Sequence, residues 1–181
     1  MSEELEVLIT VAQRLDMAGI PYMVTGSIAA NFYAVPRMTR DIDIVVELSE
    51  RDVDRLVNLF QEEFYIDCEM VQGAVREKGM FNIIHNAFVI KVDFIVRKDT
   101  DYRLTEFSRR RRVVVEGCHL SIVAPEDLII SKLEWARESH SEVQLADVRH
   151  LLTAVEGLDR DYLGRWIHCL HLESLYREVC G

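Results

Sequence analysis

Three aspartates carry the chemistry this sequence could do. Asp41 and Asp43 stand in the run Asp41-Ile42-Asp43-Ile44, and Asp93 stands between Val92 and Phe94. Alternate side chains of a strand share a face, so Asp41 and Asp43 would project side by side, about 6–7 Å apart along the strand, while Ile42 and Ile44 face a core. By the same alternation Asp93 shares a face with Lys91, and Val92, Phe94 and Val96 share the other. Neighbouring carboxylates repel, and a hard cation, Mg²⁺ or alternatively Mn²⁺, would neutralise them. Upstream, Gly26-Ser27 closes the short apolar run 22–25. Glycine lets the backbone turn sharply and approach a ligand, and Ser27 falls where the free amides of a helix N-terminus can hold a phosphate. Carboxylates that bind metal beside a phosphate-holding turn suit in-line displacement at phosphorus, in which metals about 3.5–4 Å apart stabilise entering and leaving oxygens together.

These side chains need a strand, a turn and a helix in close succession, and the local pattern supplies them. Leu5, Leu8, Ile9, Ala12, Leu15 and Ala18 recur at helical spacing until Gly19 and Pro21 stop the helix. A strand over 22–25, a turn at Gly26-Ser27, a short helix over 28–33 before Pro36 and an Asp-bearing strand over 41–47 follow. Ser49 with Asp52 predicts an N-cap for a helix carrying Val53, Leu56, Val57 and Phe60. Strands are predicted over 81–85, 87–96, 112–115 and 119–123, with a tight hairpin near His85-Asn86-Ala87. From Pro125 the pattern is helical to the end: one helix from Pro125, a second over 142–155, and one or two between Asp159 and Val179. The expectation is an α+β fold, a mixed β-sheet core flanked by helices over 1–123, with a helical C-terminal part over 124–181 packed on it.

Composition narrows the partners. At 181 residues with 49% hydrophobic residues the chain can bury a core of its own. No run of 18 apolar residues and no basic leader is present, so the expected setting is the cytoplasm, with no membrane partner. The four cysteines lack CxxC spacing and are read as reduced thiols. A formal net charge of −10 opposes nonspecific binding to phosphate backbones. The dense basic stretch, Arg109 to Arg112, reads either as a solvated loop or as a surface for a specific acceptor or RNA.

The motifs Val24-Thr25-Gly26-Ser27, Asp41-Ile42-Asp43-Ile44 and Val92-Asp93-Phe94 resemble the nucleotidyltransferase superfamily, whose pattern is hG[GS], DhDh and a later hDh. The lead-in Pro36-Arg37-Met38-Thr39-Arg40 and the later Lys132-Leu133 and Asp147 look like the small bacterial group that includes AbiEii-type and MenT-type toxin enzymes and the antibiotic nucleotidyltransferases. The resemblance covers residues 20–152. It implies a nucleotidyltransferase core that moves a nucleoside monophosphate from an NTP such as ATP to a hydroxyl of tRNA, a protein or a small molecule, releasing pyrophosphate. It also implies an antitoxin partner if the chain is a toxin.

On that reading Asp41 and Asp43 bind Mg²⁺, and Asp93 either completes a second metal site or takes the proton of the attacking hydroxyl. Gly26 and Ser27 hold the triphosphate, and Arg40 and Lys132, with Arg37 and Arg137 as further candidates, neutralise it. The other reading of Lys132, Arg137 and Asp147 is as surface residues or salt-bridge residues between helices. The alternative for the whole chain is a noncatalytic nucleotide- or protein-binding regulatory module that keeps the fold.

Overall fold

Apolar positions three and four apart bury Val7, Leu8, Val11, Ala12 and Leu15 on one side of α1, Glu3–Met17, in the computed structural model, which describes residues 2–181. The chain turns at Gly19 and enters β1, Tyr22–Thr25, whose four residues are all buried. Next come α2, Gly26–Tyr33, and β2, Ile42–Val46, in which Ile42, Ile44 and Val46 are buried and Asp43 and Val45 half-buried. Asp41 precedes the strand and is exposed, so the expected strand over 41–47 is shorter by one residue at each end.

Ser49 and Asp52 form the expected capping box, opening a short 3₁₀ turn and then α3, Val53–Phe60. After β3, Phe64–Tyr65, comes α4, Cys68–Glu77, with no counterpart in the sequence reading; the Asp67 side chain caps it by accepting from the Met70 amide. β4, Met80–His85, and β5, Lys91–Val96, form the hairpin, and the strand expected over 87–96 starts only at Lys91 because residues 86–88 form the turn. A second unforeseen helix, α5, Asp101–Ser108, separates β5 from β6, Arg111–Val115, and β7, Cys118–Ile122. The C-terminal helices are α6, Pro125–Ser139, α7, Glu142–Ala154, α8, Arg160–Cys169, and α9, Glu173–Cys180.

Among the described residues the strands form one mixed sheet in the order β3-β4-β5-β2-β1-β7-β6. β2 runs parallel to β5 and antiparallel to β1, and β1 runs parallel to β7. The fold is therefore α+β, with a helical C-terminal portion. α6 is buried throughout the stretch from Pro125 to Leu133 and packs on α2, α7 and α8. No helix among the described residues is long and apolar enough to cross a membrane.

Candidate active site

The register of the sheet brings two of the three aspartates together. Asp43 on β2 pairs with Asp93 on β5 and, across its other edge, with Thr25 on β1. Strands one register step apart lie about 4.8 Å from each other, so the Asp43 and Asp93 carboxylates leave the same face as neighbours, although 50 positions apart in sequence. Asp41 stands at the entrance to β2, within electrostatic reach of both Asp43 and Lys91. Burial, and then the charges of Asp93 and Asp41, push the Asp43 carboxyl above its ordinary range, with Lys132 and Lys91 opposing.

Gly26 provides the room. It has φ +66°, a conformation that favours glycine, and a Cβ there would collide with the Asp43 carboxylate and lie 2.9 Å from Asp43 Cβ. The turn and the metal-ligand candidate are thus pressed together. Gly26 also opens α2, and Thr25 before it makes no side-chain cap, unlike Ser2, Asp67, Thr100 and Asp159 at the starts of α1, α4, α5 and α8. Uncapped amides at that end remain available to an anion.

A second cluster backs this turn. The Arg37 guanidinium donates to both Asp147 carboxylate oxygens at 3.0 Å and to Ser27 Oγ at 2.6 Å. Lys132 Nζ donates to Asp147 Oδ2 at 2.7 Å and to Gln144 Oε1 at 3.0 Å. Asn31 on α2 fixes the lead-in segment by bonding both the carbonyl and the amide of Arg37, at 2.7 and 3.0 Å. Burial would raise the Asp147 carboxyl, but hydrogen bonds from Arg37 and Lys132 outweigh it and hold the group below its usual range. Burial lowers the Lys132 ammonium more than Asp147 supports it. The carboxylate has two cationic partners, which keep it charged, and it in turn keeps Lys132 paired.

Of the residues expected at the site, Gly26, Ser27, Asp43, Asp93 and Lys132 are gathered, and Asp41 flanks them. Arg40 is exposed beside Asp41, outside the hydrogen-bonded cluster. Arg137 lies elsewhere, bonded to the Leu170 carbonyl. Arg37 and Asp147 join the cluster through a contact spanning 110 positions, which spacing could not reveal. The arginine run is not a free basic patch: Arg109 binds Asp127 and Glu126, Arg111 approaches Glu126 at 3.7 Å, Arg112 binds Asp16, and Arg110 lies over the Phe107 ring.

The donor set fits a hard divalent cation: only carboxylate oxygens are offered, and their mutual repulsion is unrelieved except by lysines. Among the described residues no three His, Cys, Asp or Glu side chains are grouped so as to hold an ion by themselves. That suits Mg²⁺, which is usually bound by one or two carboxylates with substrate phosphates and water completing its shell.

The sequence profile of the family described as "Nucleotidyl transferase of unknown function (DUF2204)" matches residues 4–162. No curated protein matches the sequence. Among solved structures, the antibiotic-resistance factor ANT(2″)-Ia is similar with a TM-score of 0.62 at 12% identity, covering 98% of this chain and 97% of its own. An antigenic nucleotidyltransferase-like protein from Paracoccidioides brasiliensis is similar with a TM-score of 0.57 at 18% identity, over 97% and 93% of the two chains. The lincosamide antibiotic adenylyltransferase LnuA has a TM-score of 0.55 at 9% identity, over 86% and 98%. At these identities the likeness is one of fold.

Proposed function

Since the chain belongs to the family of nucleotidyl transferases of unknown function (DUF2204), we propose that it is a Mg²⁺-dependent enzyme that moves a nucleoside monophosphate from an NTP to a hydroxyl acceptor. The observation that carries this reading is the pairing of Asp43 with Asp93 beneath the collision-tight turn at Gly26. Asp41, Asp43 and Asp93 would hold the metal, which when bound supplies charge to the phosphoryl oxygens and the leaving group. The amides of α2 and the Ser27 hydroxyl would position the triphosphate, with Lys132 and Arg40 balancing its charge. Asp93, on the half-buried face of β5, would complete the metal site or accept the proton of the attacking hydroxyl. As that O–H bond breaks, a new O–P bond forms at the α-phosphorus and the bond to the bridging oxygen opens, so that pyrophosphate departs with the electron pair.

ATP is the first donor to try, because LnuA is an adenylyltransferase. Lincosamide and aminoglycoside hydroxyls are the first small acceptors, since LnuA and ANT(2″)-Ia are described with lincomycin and adenylyl-2″-tobramycin. tRNA and protein hydroxyls follow. A toxin role, with an antitoxin as partner, predicts growth arrest on expression of the wild type but not of Asp43→Asn. The enzymatic reading is tested by following pyrophosphate release with each NTP; nucleotide and metal binding without release over the acceptor series would instead support a noncatalytic module.

A further inference from the structure

A cation of the chain itself stands against the paired aspartates. Lys91 stands two residues before Asp93 on β5, so both side chains leave the same face of the sheet. Its ammonium lies 2.7 Å from Asp93 Oδ2. The lysine side chain is 44% exposed while that of Asp93 is 17% exposed, so the ammonium caps the carboxylate from the solvent side. Asp43 is the register neighbour of Asp93. Lys91 thus touches one candidate metal ligand directly and stands on the sheet face that this ligand shares with another, Asp43. The other nearby cation, Lys132, cannot play this part, since it is buried and tied to Asp147 and Gln144.

We propose that Lys91 is a displaceable internal counter-ion, whose ammonium holds the cation position on Asp93 in the metal-free protein and swings to solvent when a divalent ion enters. The inference rests on the metal-site reading above and adds a regulatory residue to it. A compact charge on a four-carbon stem that is half in water can leave without disturbing the sheet. While it stays, it does two things: it suppresses repulsion between Asp43 and Asp93, and it sets a threshold that free metal must overcome. An arriving NTP lowers that threshold, because its phosphates offer the departing ammonium another anion.

Titration of the full chain with Mn²⁺ alone, followed by calorimetry, tests this. Lys91→Gln, which keeps length and removes charge, is expected to bind Mn²⁺ roughly three- to tenfold more tightly than the wild type, the scale of one partly screened ion pair. Lys91→Arg is expected to bind no more tightly than the wild type. Without metal, Lys91→Gln melts at a lower temperature and gains more from added Mn²⁺, a readout that requires only a folded variant; Lys91→Ala provides the same comparison. Equal or weaker Mn²⁺ affinity in both neutral variants, with Asp43→Asn abolishing binding, overturns the role of Lys91 and leaves the metal site standing. Absence of Mn²⁺ binding in wild type and variants alike, with or without NTP, removes the metal site and the inference together.

Discussion

At Gly26 one missing methyl group decides whether turn and carboxylate can share their space. Gly26→Ala meets the Asp43 carboxylate and a positive φ at once, and is expected to cost about 1–3 kcal/mol in stability. The displaced carboxylate should lower turnover by roughly 100-fold, the scale of about 1 Å of misplacement. Denaturant unfolding and steady-state rates check the two parts separately. Asp43→Asn should act oppositely on stability. Burial and the charges of Asp93 and Asp41 raise the Asp43 carboxyl, so the folded state favours its neutral form; its ionisation subtracts stability as pH rises through the raised value. The amide should therefore raise the melting temperature of the metal-free protein at neutral pH, by about 2–4 °C if on the order of 1 kcal/mol is relieved, while removing metal affinity. A melting curve that falls instead would mean that Asp43 is stabilised by contacts beyond those described. Asp43 and Gly26 are legible in sequence because their signals are local, a glycine before a helix and an aspartate in a period-two strand. Lys91 is legible only as a face-sharing neighbour of Asp93, since the contact between its ammonium and that carboxylate depends on side-chain direction, which strand alternation does not give.

At the scale of elements, α2, α6 and α7 are tied to the lead-in segment by one carboxylate. Asp147 on α7 accepts from Lys132 on α6 and from Arg37, which also reaches Ser27 at the start of α2. Asp147→Ala leaves a lysine with 3% exposed side chain without its counter-ion and should destabilise by about 3–5 kcal/mol. Asp147 is held below the usual carboxylate range, so its contribution is complete above the unfolded value near pH 3.9 and disappears as pH falls through the lowered folded value. The gap between wild type and Asp147→Asn in urea midpoint should accordingly be wide at pH 7 and close as the pH falls through the lowered folded value. A gap constant across that range would contradict the ion-pair account. Long periodic elements such as α1 and α6 are readable from apolar spacing. α4 and α5 are not: Gly73 sits inside the first, its stripe is only Val71, Ala74 and Val75, and the second buries a glutamate, Glu106, held by Arg103 and Ser131. Their N-caps, Asp67 and Thr100, were the available signals.

Across the whole molecule, the sheet order sets the site between β1, β2 and β5, with α2 opening at its edge. The same arrangement of the chain recurs in ANT(2″)-Ia at 12% identity, so the fold persists where most side chains differ. The motifs are readable because each is a local signal, a glycine before a helix or an aspartate in a period-two strand, and the acceptor is not. Acceptor recognition is spread over side chains brought together only by folding. The net charge of −10, with the arginines of 109–112 engaged internally, predicts weak binding to duplex DNA or bulk RNA at physiological salt, checked by mobility shift against a short random oligonucleotide. The most direct measurement of the central claim is pyrophosphate release from ATP and the other NTPs with Mg²⁺ and the acceptor series, for wild type and for Asp43→Asn with Asp93→Asn. The wild type should release pyrophosphate in step with an acceptor-linked nucleoside monophosphate, and the double variant at least about 100-fold more slowly. NTP consumption by the double variant at the wild-type rate would contradict the account.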